Sequence, residues 1–138
     1  MANWITIVYK IDGDKEKTLE MYQDINGAIL SKEPVAVSGF GPRWIGCMVK
    51  ALGGNPNEVY CRGRVVKHGY SYSDGILTIM VDIAESMYCD ELLEFLQEKA
   101  SGCKVHYLTD DACGTRYSND KDWKYFSEFY PKESVRTV

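Results

Sequence analysis

Ile76-Leu77-Thr78-Ile79-Met80-Val81, launched by Asp74-Gly75, opens the stretch that decides the fold. Five of its six residues are apolar and the sixth is a threonine, a composition that favours a strand. Leu92, Leu93, Phe95 and Leu96 follow as a helical stripe that stops at Gly102, and Lys104 to Leu108 reads as a second strand. Strand, helix and strand in this order form a right-handed crossover unit, which restricts how the rest of the chain can be arranged around it.

Upstream, Ile5, Ile7, Tyr9 and Ile11 alternate with Thr6, Val8 and Lys10, so Trp4 to Ile11 reads as a strand with one apolar face. Asp12-Gly13 ends that strand. Asp14 is placed to cap a helix running to about Asn26, with Leu19, Tyr22 and Ile25 on one side and Gly27 as the residue after its end. Pro34 and the Gly39–Pro42 stretch break any long element, and Trp44 to Leu52 has the spacing of a short helix ended by Gly53-Gly54. Glu58 to His68 then reads as a strand. Val59, Cys61, Gly63 and Val65 share one of its faces, and Tyr60, Arg62, Arg64 and Val66 share the other. Gly69 to Gly75 reads as the longer loop of a hairpin leading back into Ile76.

These elements predict an α+β fold, a ferredoxin-like mixed or antiparallel sheet with two main helices on one face and an insertion near residues 28–58. One domain is expected over residues 1–130, followed by a polar tail at 131–138. A chain of 138 residues can bury a core without disulfides or metal. Its five cysteines are widely scattered, and Met1-Ala2-Asn3-Trp4 lacks the basic and apolar regions of a signal peptide. Reduced thiols and a cytoplasmic location are therefore expected. No run is long and apolar enough for a membrane span. The formal charge of −4 argues against a polyanion as the main partner, so nucleic acid is not the expected ligand.

Ala2-Asn3-Trp4 before a strand, the Gly13 turn into a helix, Gly41-Pro42-Arg43-Trp44 in mid-chain and the Ile76–Leu108 unit together resemble the YubB-type ferredoxin-like proteins of phages, plasmids and genomic islands. The resemblance covers roughly residues 2 to 118. The chain departs from the family's pattern at Ile5, where a cysteine is usual, at Gly41-Pro42-Arg43-Trp44 in place of a Gly-Thr-Lys-Trp type motif, and in the absence of Trp from Ala84 to Cys89. The resemblance implies a fold and a mobile-element origin, and it brings no catalytic residues with it.

Chemistry-bearing residues are sparse. His68 and His106 have no second ligand at a helical-turn or knuckle spacing, so neither a metal nor any other cofactor is expected. Cys89 lies near a helix start but beside Asp90 and Glu91, which oppose thiolate formation, and Cys113 stands in a loop. Asp110-Asp111 and Asp120/Asp122 pair carboxylates, most simply as turn caps. Arg62 and Arg64 share a strand face with Tyr60, and His68 ends it. Trp123, Phe126 and Tyr130 recur at helical spacing and are expected to pack back on the sheet.

The leading expectation is a non-catalytic binding or assembly module that engages a protein partner or a second copy. Its candidate binding residues are Tyr60, Arg62, Arg64, His68, Asp110, Asp111 and Trp123. Two rivals stand beside it. One is a small enzyme built around His68, His106 and Asp110-Asp111; the other is single-stranded nucleic-acid binding through the Arg/Tyr sheet face.

Overall fold

The computed structural model describes residues 4–33, 38–84, 90–111, 113–122 and 124–128. It is an α+β fold with one five-stranded sheet, ordered β2-β3-β1-β4-β5, in which every neighbouring pair is antiparallel. The strands are β1 (Ile5–Gly13), β2 (Gly63–Ser73), β3 (Ile76–Ile83), β4 (Cys103–Asp110) and β5 (Arg116–Ser118). The α-helices are α1 (Lys15–Leu30), α2 (Ile45–Ala51) and α3 (Glu91–Lys99), and a single 3-10 turn, Gly41–Arg43, precedes α2.

Alternation drives the architecture. On β1, Ile5, Ile7, Tyr9 and Ile11 are buried, and on β3, Leu77, Ile79, Val81 and Ile83 are buried. These two central strands present the main core, which Met21 and Ile25 of α1, Ile45, Met48 and Val49 of α2, and Leu92, Leu93, Phe95 and Leu96 of α3 complete. All three helices therefore lie on one face of the sheet, termed inner below. The α1 cap is formed by the Asp14 carboxylate, which accepts from the N–H groups of Glu16 (3.0 Å) and Lys17 (3.3 Å).

Three local expectations need correction. First, α1 runs through Gly27 to Leu30, because its buried stripe is Thr18, Met21, Ile25 and Ala28, and this 3-4-3 spacing carries on past the glycine. Leu19 is an exposed residue of that helix.

Secondly, the strand expected at Glu58–His68 begins at Gly63 and ends at Ser73. The hairpin has no long loop: Ser73 pairs with Ile76, and Asp74 (φ 54°) and Gly75 (φ 80°) both take the left-handed backbone of a tight two-residue turn. The irregularity lies instead within β2, where Val65 faces Val81 and Tyr70 faces Ile79, leaving residues 66–69 opposite Met80 in a large bulge. Thirdly, β4 gains an edge partner, β5, from a region that reads as turns.

Burial is not confined to the inner face. Val8 of β1 and Leu108 of β4 point outward yet are buried, and with Phe126, 1% exposed, they form a second core bordered by Met80 and Tyr125. The expected return of the C-terminal aromatics to the sheet is thus seen for Phe126, which covers the face opposite the helices. Trp123, Tyr130 and the 131–138 tail fall outside the described residues.

Candidate functional site on the outer sheet face

Register places outward residues in rows across the sheet. The apolar row is Met80, Val8 and Leu108, and Phe126 sits on it. The segment carrying Phe126 is held by the Asp120 carboxylate, itself 7% exposed, which accepts from the N–H groups of Lys124 (3.0 Å), Tyr125 (2.8 Å) and Phe126 (3.0 Å). Asn119 anchors the same segment to the β4 edge, accepting from the Tyr107 N–H (2.8 Å) and donating to the Val105 carbonyl (2.9 Å).

Beside the apolar row lies a polar node. His106 pairs across from Lys10, and its Nε2 lies 2.8 Å from Oδ1 of Asp12. The Tyr125 hydroxyl donates to the other Asp12 oxygen (2.6 Å), and the Tyr125 ring stacks on the imidazole with centroids 3.7 Å apart. The Lys10 ammonium donates to the Tyr125 carbonyl (2.8 Å) and pairs with Glu128. Burial opposes ionisation of Asp12, yet the hydrogen bonds from Tyr125 and His106 and the charges of His106 and Lys124 outweigh it and hold the carboxyl below its ordinary value. For Tyr125, burial first, then the hydrogen bond to Asp12 and the charges of Asp12 and Asp120, push the phenol up to about 12.

That shift gives a direct measurement. The fold favours the neutral phenol, so its contribution is whole below the ordinary tyrosine value of about 10. It is lost as pH rises through about 12. Burial raises the Tyr70 phenol as well, and the hydrogen bond to Asp111 raises that of Tyr117. Phenolate absorbance during alkaline titration is therefore expected to show several late ionisations, of which Tyr125→Phe removes one. A variant curve that keeps every late ionisation would contradict the node's geometry.

Chemically, the node is a histidine oriented by a carboxylate, with a groove of about 440 Å³ alongside that is lined by Gln97, Cys103, Lys104 and Asn119. The Cys103 thiol in that groove faces the Asp14 carbonyl at 3.7 Å. Among the described residues no group of three or more His, Cys, Asp or Glu side chains is placed to hold a metal ion.

The far corner of the outer face is different in character. Gly63 and Val65 are buried on the inner side, so Arg62 and Arg64 stand outward, and both are exposed. Arg64 pairs across from Asp82, with Nε 4.0 Å from its carboxylate, and Thr6 donates to the same carboxylate at 2.6 Å. The Arg62 carbonyl accepts from the Ala84 N–H (2.8 Å). Trp4 precedes the Ile5–Ile83 pair at the head of β1, 48% exposed, with its ring edge-on to Phe40 at 6.0 Å. Arg62, Ala84 and Trp4 thus fall in one row, each one residue beyond the end of the neighbouring strands β2, β3 and β1. The loop bearing Phe40 leads to Trp44, which bridges to Arg64 along the β2 edge.

The other expected site residues are dispersed. Tyr60 lies before β2 rather than on it; its hydroxyl donates to the Ala84 carbonyl, and its ring packs against the main core. His68 occupies the β2 bulge with φ 60°, exposed and out of register with the arginines. Asp110 pairs with Arg116 at 3.0 Å. Asp111 caps a turn, accepting from the Thr115 and Cys113 N–H groups (both 2.9 Å) and from the Tyr117 hydroxyl (3.0 Å). The Thr115 N–H is the main reason its carboxyl sits below the ordinary range.

His68 on β2 and His106 on β4 are separated by β3 and β1, so the structure does not bring His68, His106 and Asp110-Asp111 together. Trp123 and Cys89 are outside the described residues. Cys61 is buried, and burial, reinforced by Glu91, raises its thiol to about 11. Sequence reasoning missed Trp4, Asp12 and Tyr125. Strand alternation alone puts Trp4 and Asp12 on the same face as Lys10, but no sequence signal ties Tyr125 to them.

No family model, curated protein or solved structure matches the chain. Among the described residues no helix is long and apolar enough to cross a membrane.

Proposed function

We propose that the chain is a small, non-catalytic cytosolic binding module of ferredoxin-like topology that engages its partner through the Arg62–Arg64 corner of the outer sheet face. The topology reading is supported by the order β2-β3-β1-β4, with α1 following β1 and α3 following β3. On this reading α2 is an insertion and β5 an added edge strand. Kinship with the YubB-type proteins, and with it a mobile-element origin, rests on the short motifs quoted above.

One observation carries the binding reading. The C-terminal segment covers the outer face over Val8 and Leu108, whereas Arg62, Arg64 and Trp4 at the other corner are exposed. Exposed arginines and a large exposed aromatic ring are the residue types that dominate binding energy when a partner covers them. The enzyme reading draws less support, because His68 on β2 is separated by two strands from His106 and Asp110 on β4, and Asp111 is engaged in its own turn.

The Arg62→Ala/Arg64→Ala double variant is expected to keep the fold, since both side chains point to solvent. Immobilised protein is expected to retain at least about tenfold less material from a cell extract when both arginines are gone, on the order of 1.4 kcal/mol. Unchanged retention by a variant with native circular dichroism would sink the proposal.

A further inference from the structure

The arginine corner belongs to a larger stretch of unusual charge. From Val59 to Ser73 the chain has no acidic residue, while Arg62, Arg64 and Lys67 supply three positive charges and His68 a titratable fourth group. Many of the acids lie elsewhere: Glu16, Glu20 and Asp24 are on α1, and Glu58, Glu91, Glu94 and Glu98 line a groove of about 540 Å³ beside α3. The net charge of −4 therefore does not describe the β2 side of the outer face. Among the described residues the carboxylate at this corner is Asp82, which is engaged by Thr6 and Arg64.

Resting on the proposed arginine-corner function, we propose that the ligand of this corner is a segment of single-stranded nucleic acid. The Trp4 ring stacks on an unpaired base, and Arg62 and Arg64 hold the phosphates that follow. Three features favour this chemistry over an acidic protein segment. Trp4 is 48% exposed with Phe40 set edge-on against it, which gives an incoming planar group a ring surface flanked by a second aromatic. Arg62 lies two strand spacings from Trp4 in the same row, about 10 Å, so base and backbone contacts fall on one ligand strand. The guanidinium groups stand on a sheet face rather than in a closed pocket, so they track an extended backbone. A duplex does not present the stacking surface that Trp4 would meet.

The test is fluorescence anisotropy with a fluorescein-labelled oligothymidylate of about 15 nucleotides at about 50 and 200 mM salt, with polyglutamate of matched charge as competitor. Binding is expected to weaken steeply with salt. The Arg62→Ala/Arg64→Ala variant is expected to flatten the log–log salt slope by about 0.7 for each phosphate it no longer neutralises. Trp4→Ala is expected to bind between about fivefold and a hundredfold more weakly, and Trp4→Phe to recover most of that affinity because it keeps a stacking ring. That recovery separates stacking from a fold defect.

No binding of the oligonucleotide at about 50 mM salt overturns the inference. So does equal competition by polyglutamate together with indifference to Trp4→Ala. In that outcome the arginine corner stands as a site for an acidic protein segment. Oligonucleotide binding that Arg62→Ala/Arg64→Ala leaves unchanged overturns both the inference and the function it rests on.

Discussion

Replacing Phe126 with alanine is expected to destabilise the protein by about 3 kcal/mol, near the lower bound for a buried phenylalanine. The ring is 1% exposed, lies on Val8 and Leu108, and has Lys10 above it, with Nζ 5.7 Å from its centroid. Removing it opens a cavity against two outward residues that have no other use for their apolar surface. The lower bound applies because the segment lies on an outer face and can settle inward, restoring part of the packing. Equilibrium urea unfolding of the variant measures the destabilisation. A cost below about 1 kcal/mol would mean that the segment does not seat on the sheet as described.

This second core reassigns half of the sheet. A one-layer α+β domain leaves its outer face to solvent, and polar or charged residues there need no ligand. Here the β1–β4 half is closed by a segment that brings its own plug, its own carboxylate cap in Asp120 and its own pairing with Asp12 and Lys10. Among the described residues, what stays open is the β2 side. The division matters for function because it separates outward residues whose partners lie within the chain from outward residues that face solvent. His106 belongs to the first kind and Arg62 to the second.

The parts of the fold legible from sequence are those governed by period and turn chemistry. β3 alternates without interruption, α3 shows its stripe, and Asp14 is a cap in both readings. The β2 boundary was not legible, since the bulge at residues 66–69 breaks the period of two midway and makes the second half, Tyr70 to Ser73, look like a loop. The end of α1 was hidden by Gly27, a residue that commonly follows a helix but here sits within one. At the site, strand alternation gave the outward arginines. The Asp12–His106–Tyr125 node was invisible because its members lie 94 and 113 residues apart and meet only through the β1–β4 register and the return of the C-terminal segment.

Asp120 supplies the other large effect. It was legible only as one of a pair of carboxylates in a turn, yet it is nearly buried and accepts three backbone N–H groups in succession. Asp120→Ala leaves the Lys124, Tyr125 and Phe126 amides without their acceptor. At about 1 kcal/mol or more for each donor that stays dry, the expected loss is about 2–4 kcal/mol. Asp120→Asn keeps one acceptor oxygen and is expected to lose about half as much. The double variant Asp120→Ala/Phe126→Ala distinguishes a docked segment from two unrelated defects. If the carboxylate acts by holding the turn that seats the ring, undocking the segment once forfeits both contributions, and the double variant loses clearly less than the sum of the singles. Additivity within about 0.5 kcal/mol would show that Asp120 and Phe126 stabilise the fold independently, and the picture of one cooperative segment closing the outer face would then fail.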